Sequence, residues 1–206
     1  MSRRARGFTL LEMLLALTLL GLLLTLLATA LVGANRAASK GERYAGRLDE
    51  TRAAQNFLQR ALRASLPLDL AGGDTDRMVV FDGDVERMRF AATLTNALGG
   101  GIRLHVVEKV ALDGGQALQV RFVKAATAGG GDWGQPQILV RDVRTLRFSY
   151  RGRDERGQAT GWLDRWPWPA RLPQAVRVQL TGDGAVRWPS QIVALRLDLG
   201  AQGTAP

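Results

Sequence analysis

Residues 8–32 form an apolar run of 25 residues, 13 of them leucine, with a single charge at Glu12. No further charge occurs from Met13 to Asn35. As a helix rising ~1.5 Å per residue, such a run extends roughly 37 Å, enough to cross a hydrocarbon core of ~30 Å. A secretory signal has an apolar region of only ~7–15 residues before a small-residue cleavage site. The stretch ATALVGA imitates such a site, but the run before it is too long. The reading is therefore a transmembrane helix. Arg3, Arg4 and Arg6 precede it, and Arg36, Lys40 and Arg43 follow it. The leading arginines favour a cytoplasmic N-terminus, a preference the trailing cations weaken. The rest of the chain then lies across the membrane.

Glu12 needs an account. A carboxylate at the centre of a span costs a few kcal/mol on insertion scales, and less at a shallow position such as the fifth residue of the run. A charge kept in a span usually has a partner. The run contains no lysine or arginine. A cut between Gly7 and Phe8 would create an α-amine four residues before Glu12, and such an amine on a neighbouring chain could pair with the carboxylate.

The stretch RGFTLLEMLLAL, carrying Gly7, Phe8, Thr9, Leu10, Leu11 and Glu12, resembles the N-terminus of type IV pilins and type II secretion pseudopilins. The resemblance implies a basic leader that a membrane prepilin peptidase removes after Gly7, with N-methylation of the new terminal residue Phe8. It also implies that Glu12 sets the register between neighbouring subunits. Loss of residues 1–7 removes three arginines and no acid.

Beyond the span there is no proline from Arg36 to Leu66. Tyr44, Leu48, Thr51, Gln55, Leu58, Leu62 and Leu66 recur every three or four residues, widened by Ala54, Phe57 and Ala61. That period predicts an amphipathic helix continuing from the span and ending at Pro67. Gly33, Gly41 and Gly46 lie at the junction, and each costs up to ~1 kcal/mol against alanine in a helix. They mark a bend, or they are tolerated by packing. After Pro67 the period changes to two. MVVFDGD with RMRFAA predicts a hairpin about Asp82, Gly83 and Asp84, and IRLHVVEKV with LQVRFVKA a second about Asp113, Gly114 and Gly115. Leu146, Phe148 and Tyr150 alternate with Arg147, Ser149 and Arg151, and Val176, Val178 and Leu180 alternate with Arg177 and Gln179. Val193, Leu195, Leu197 and Leu199 close the series. These are half-buried antiparallel strands with one apolar and one arginine-rich face.

The chemistry of catalysis is missing. There is no cysteine, and the single histidine, His105, alternates with Leu104 and Val106 as a structural residue would. No nucleophile elbow, phosphate loop or zinc spacing occurs. Asp82, Asp84 and Glu86 admit a calcium loop, but they lack the acidic ladder of an EF-hand and read first as a hairpin turn. The net charge of +9 is spread as arginine without a basic stripe interleaved with aromatics, so nucleic acid is not an expected partner. No cofactor and no metal are expected.

One stretch stands apart. GWLDRWPWPARLPQAVRV holds Trp162, Trp166 and Trp168, three of the five tryptophans, with Pro167, Pro169 and Pro173. Proline keeps it out of a central strand. It is a loop that fills the core at a sheet end, or an aromatic surface for a partner, since tryptophan and arginine anchor interfaces. The strand-like ILVRDVRTLRFSYRG, this loop and then LPQAVRVQL resemble the C-terminal half of the J-type minor pseudopilins, over roughly residues 137–199.

The expected fold is α+β, pilin-like: a long N-terminal helix packed on an antiparallel β head. The expected organisation is a leader at 1–7, a span at 8–32, an amphipathic stem at 33–66, a periplasmic head at 67–199 and a disordered tail at 200–206. The resemblance implies a non-enzymatic minor pseudopilin of a type II secretion system, held in the inner membrane. Its partners would be I-, K- and H-type minor pseudopilins in a pseudopilus tip complex that primes assembly and supports export of folded proteins. The alternatives are a minor pilin of a type IV pilus or DNA-uptake filament, and an anchored periplasmic protein with no filament role.

Overall fold

A computed structural model describes residues 9–70, 78–94, 99–124, 131–183 and 187–195. The chain divides into two units, the second beginning at Arg47. Helix α1, Leu10–Arg63, contributes to both.

In the first unit α1 carries no packed face. Every leucine from Leu10 to Leu31, with Met13 and Val32, is exposed, between 48% and 84%. The three threonines of this stretch satisfy themselves within the helix. Thr18 Oγ1 donates to the Leu15 carbonyl, Thr25 Oγ1 to Gly21 and Thr29 Oγ1 to Leu26, each at 2.8 Å. A hydroxyl that donates to its own helix leaves no donor open to hydrocarbon. The helix is long and apolar enough to cross a membrane. Tyr44, the first residue of the predicted amphipathic face, is also exposed, at 50%.

In the second unit α1 becomes one-sided. Ala54, Leu58, Ala61 and Leu62 are buried, and Phe57 packs beside them. The helix stops at Arg63, three residues before the predicted Leu66. Ser65–Leu66 instead form strand β1, paired with Ala92 and Ala91 of β3. A residue before proline is pushed out of helical geometry toward the extended region, so Pro67 acts upstream of itself.

Two antiparallel sheets follow. The first holds β1, β2 (Phe81–Gly83), β3 (Arg87–Thr93), β4 (Ile102–Leu112), β5 (Gly115–Val123) and β6 (Asp132–Val140). Its order is β1-β3-β4-β5-β6, with β2 also on β3. The second holds β7 (Val143–Arg151), β8 (Ala175–Gly182) and β9 (Gln191–Ala194), in that order. Both predicted hairpins are present, β2–β3 and β4–β5, but the first turns at 84–87 rather than about Asp82 and Gly83, which pair with Arg89 and Met88 inside the ladder. The stretch ILVRDVRTLRFSYRG is not one strand. It is the end of β6 and all of β7, in different sheets, broken at Asp142 with φ 56°. Strand β6 itself carries Pro136, which an edge strand accepts because the proline nitrogen need not enter a ladder. Leu197, Leu199 and the tail at 200–206 lie outside the described residues.

One core joins the sheets to the packed part of the helix, with Leu58, Leu62, Met88, Phe90, Phe148 and Val178 at its centre. Directly opposed residues of four strands lay a row of rings across the first sheet: Phe90, His105, Phe122 and Trp133. Phe90 stacks on His105 at 5.3 Å, and Phe122 meets His105 edge-on at 5.0 Å. Phe57 of the helix lies 6.3 Å from both His105 and Phe122. The buried imidazole donates one bond from Nδ1, at 3.0 Å, to the Arg103 carbonyl. Burial holds its pKa down to about 4, against the raising effect of that carbonyl. Tyr150 connects the sheets. Its ring packs on Phe81, and its hydroxyl donates to the Asp84 carbonyl at 2.8 Å. A Cβ on Gly83 would lie 2.5 Å from that ring, so the hairpin can approach only as glycine.

Candidate functional site

The first candidate region is the start of α1. Gly7, Phe8 and the leader lie outside the described residues. Thr9 opens the helix: its Oγ1 accepts from the Glu12 N–H at 3.2 Å, and its carbonyl accepts from Glu12 and Met13 N–H. Thr9 and Glu12 thus stand at the N-cap and N3 positions of a capping box. Glu12 lies in the first turn, at the positive end of the helix dipole, and is exposed. The carboxylate therefore has a local reason to be here. It stands where a helix tolerates an anion best, with its side chain free to meet a group from outside. The cap was readable in the sequence as T-x-x-E ahead of an apolar run, but the resemblance drew attention to the acid alone.

The second region is the tryptophan loop, 161–174. It is bound to the β2–β3 hairpin. The Pro169 carbonyl accepts from Val80 N–H at 2.7 Å and Phe81 N–H at 3.0 Å, and Trp166 N–H donates to the Gly83 carbonyl at 3.0 Å. The three tryptophans do different things. Trp166 is 4% exposed, donates from its indole to the Arg171 carbonyl at 2.8 Å, and sits so close to Gly152 that a Cβ there would lie 2.6 Å from the ring. Trp168 is half-buried and meets Trp166 edge-on at 5.0 Å. Trp162 points elsewhere: it is half-buried beneath the Arg177 and Arg151 guanidiniums, at 3.9 and 5.1 Å from the ring centre.

The acidic turn is occupied by the chain's own cations. Asp82 pairs with Arg89 at 3.2 Å, Asp84 with Arg165 at 2.9 Å, and Glu86 with Lys109. The Val85 N–H and the Arg165 side chain hold the Asp84 carboxyl below its ordinary value. This is the bonding of a braced hairpin turn, each charge neutralised from a different segment.

Comparison with known proteins now decides the family. "Type II secretion system (T2SS), protein J" matches residues 29–193, and "Prokaryotic N-terminal methylation motif" matches residues 2–28. The type II secretion system protein J of Xanthomonas campestris pv. campestris is 40% identical over 203 residues, covering 95% of each chain. The chain belongs to the protein J family of type II secretion systems. The fold agrees at lower identity: a chain of the GspK-GspI-GspJ complex of enterotoxigenic Escherichia coli superposes with TM-score 0.52 at 18% identity, over 74% of this chain and 99% of that one. The methylation motif of this J-family protein spans Gly7, Phe8 and Glu12. The family match takes in the stem and the tryptophan loop. Protein J is a structural pseudopilin component, anchored by its apolar helix.

Proposed function

We propose that this J-family protein is made as a prepilin, cut between Gly7 and Phe8 by the prepilin peptidase, methylated on Phe8, and then assembled at the tip of a pseudopilus. It is not an enzyme. The apolar half of α1 spans the inner membrane with its N-terminus cytoplasmic, and the head from Arg47 onward stands in the periplasm. I-, K- and H-type minor pseudopilins are its neighbours, and the complex primes assembly and supports export of folded proteins across the outer membrane. The observation that carries this reading is the start of α1. A capped helix, exposed and apolar on all sides, begins with the one carboxylate of the span in a chain of the J family. A terminal amine on Phe8 of a neighbour supplies the cation that Glu12 lacks within the span. The family match favours type II secretion over a type IV pilus or DNA-uptake filament.

Mass spectrometry of the N-terminus of the membrane-extracted protein tests the reading. The expected species begins with N-methyl-Phe8, and Gly7→Val leaves the leader attached. Material that assembles with Met1 still in place overturns it.

A further inference from the structure

We propose that Arg151, Trp162 and Arg177 form a docking surface for a carboxylate-bearing partner polypeptide, on the outer face of the three-stranded sheet. The surface is built rather than incidental. Trp162 lies over β7 and β8, pinned by the antiparallel bridge between Leu163 and Tyr150, whose N–H and carbonyl exchange bonds of 2.8 Å in both directions. The Arg177 guanidinium lies over its ring at 3.9 Å and that of Arg151 at 5.1 Å. Next to Arg177 on the neighbouring strand, in direct register, is Ile192, 57% exposed. Tryptophan, arginine and an apolar neighbour at one spot is the composition of an interface centre rather than of ordinary solvated surface.

The charge balance selects the occupant. Ten acid–base pairs join the described residues, and neither Arg151 nor Arg177 belongs to one. The nearest acid along the loop, Asp164, is taken by Arg147 at 2.8 Å, and Arg165 is taken by Asp84. Two guanidiniums therefore share one ring with no carboxylate between them. Contact with the ring restrains both side chains, so a carboxylate that accepts from their N–H groups orders less free chain on binding. With residues 1–7 removed, 25 basic against 19 acidic residues leave a net +6, which favours an acidic partner over a basic one. The partner is a folded protein that presents Asp or Glu. On the function proposed above, from which this identity is taken, it is the head of a neighbouring pseudopilin.

The test uses the full chain in detergent micelles with ¹⁵N-labelled tryptophan. A glutamate-rich decapeptide is the probe, with a lysine-rich decapeptide and phosphatidylglycerol vesicles as the other arms. The Trp162 indole signal is assigned by its loss in Trp162→Phe. The glutamate peptide should shift that signal, more weakly as salt rises. The pair Arg151→Gln and Arg177→Gln should weaken binding at least tenfold while the melting temperature stays that of the parent. In cells, Arg151→Glu with Arg177→Glu should lower co-purification of the other pseudopilins at least tenfold with leader cleavage intact. Equal binding of the glutamate peptide to the Gln pair, or an equal shift with the lysine peptide, overturns the proposal. So does a shift with vesicles but not peptide, which would make the surface a lipid contact. The peptide titration and the N-terminal mass measurement read different ends of the chain, so failure of one is distinguishable from failure of the other.

Discussion

The two halves of α1 obey the same helical geometry and opposite rules of composition. From Leu10 to Val32 leucine falls on every side, and all of it is exposed. From Arg47 to Arg63 the apolar residues keep to one stripe, and Ala54, Leu58, Ala61 and Leu62 vanish into the core. A helix apolar all round suits an apolar solvent, whereas a helix apolar on one stripe needs a partner surface in water. The difference lies in what each half expects around it. The first half therefore suits an apolar surrounding such as a membrane. The second depends on this chain alone.

The largest effect should come from the one charge of the exposed half. Glu12→Leu makes that half more apolar, so insertion is not the step lost. Abundance and leader cleavage should stay normal while secretion falls severely. Thr9→Val sharpens the result, because it removes the cap and keeps the acid. If Glu12 serves a neighbour, Thr9→Val secretes far better than Glu12→Leu at matched native-level expression. Equal loss in the two would assign Glu12 to helix capping, and normal secretion by Glu12→Leu would remove the pairing role.

Next come truncations that test where the helix changes its dependence. Leu58→Ala should cost the head ~2–5 kcal/mol, whereas Leu20→Ala, at a position 50% exposed, should leave the head's melting temperature unchanged. The tryptophan loop repeats the contrast within a few residues. Trp166→Ala should cost ~3–5 kcal/mol. Trp162→Ala should barely move the melting temperature, because its ring lies on the sheet's outer face. Chemical denaturation of the four variants checks this. A Trp162 variant as unstable as the Trp166 one would place both rings in the core.

These contrasts also mark what was legible beforehand. The span, the face through Leu58 and Leu62, and both hairpins could be read because each rests on a period visible in neighbouring residues. The break at Asp142 could not. Arg141 and Asp142 interrupt the alternation by one step, and only the pairing of Val140 with Leu118 and of Val143 with Gly182 assigns the flanks to different sheets. Strand β6 was hidden for a related reason: Gly134 and Pro136 argue against a strand, and edge position is a property of the whole sheet. Spacing alone carries Leu66 into the helix, and the proline after it excludes that. At the candidate site Gly7, Phe8 and Glu12 came from a local motif. The platform of Arg151, Trp162 and Arg177 did not, since its members lie up to 26 positions apart and meet only when β7 pairs with β8. The loop admitted a core reading and a surface reading, and the structure places Trp166 in the core and Trp162 on the outer face.

A pH titration probes the packed part alone. His105 is buried among Phe57, Phe90 and Phe122, with its pKa lowered from 6.5 to about 4. Between those values the unfolded chain binds a proton that the folded chain refuses. This contribution is therefore fully present above about pH 6.5 and is lost as pH falls toward 4, by about 3 kcal/mol in all. His105→Phe adds a ring without a titrating group and should flatten that part of the stability curve. A parent and variant with parallel pH profiles from 7 to 4 would show that His105 is not the group responsible.

The smallest effect belongs to the first turn of the packed half. Arg47 donates to the Asp142 carboxylate at 2.8 Å, and one turn later Glu50 accepts from the Arg141 N–H at 3.1 Å. Together they fasten the helix to the β6–β7 corner just where its side chains cease to be exposed on all sides. Both members of the ion pair are roughly half exposed, so water and salt screen it, and an exposed pair contributes about 0.2–1 kcal/mol. Arg47→Ala should thus lower the head's stability by no more than about 1 kcal/mol, with most of that loss gone in high salt. Glu50→Ala removes a bond to a backbone donor and should cost a comparable amount that salt affects less. If Arg47→Ala instead destabilises as much as Leu58→Ala, the packed half begins with a charge that governs its docking, and the boundary between the two halves is set by electrostatics rather than by where the apolar stripe starts.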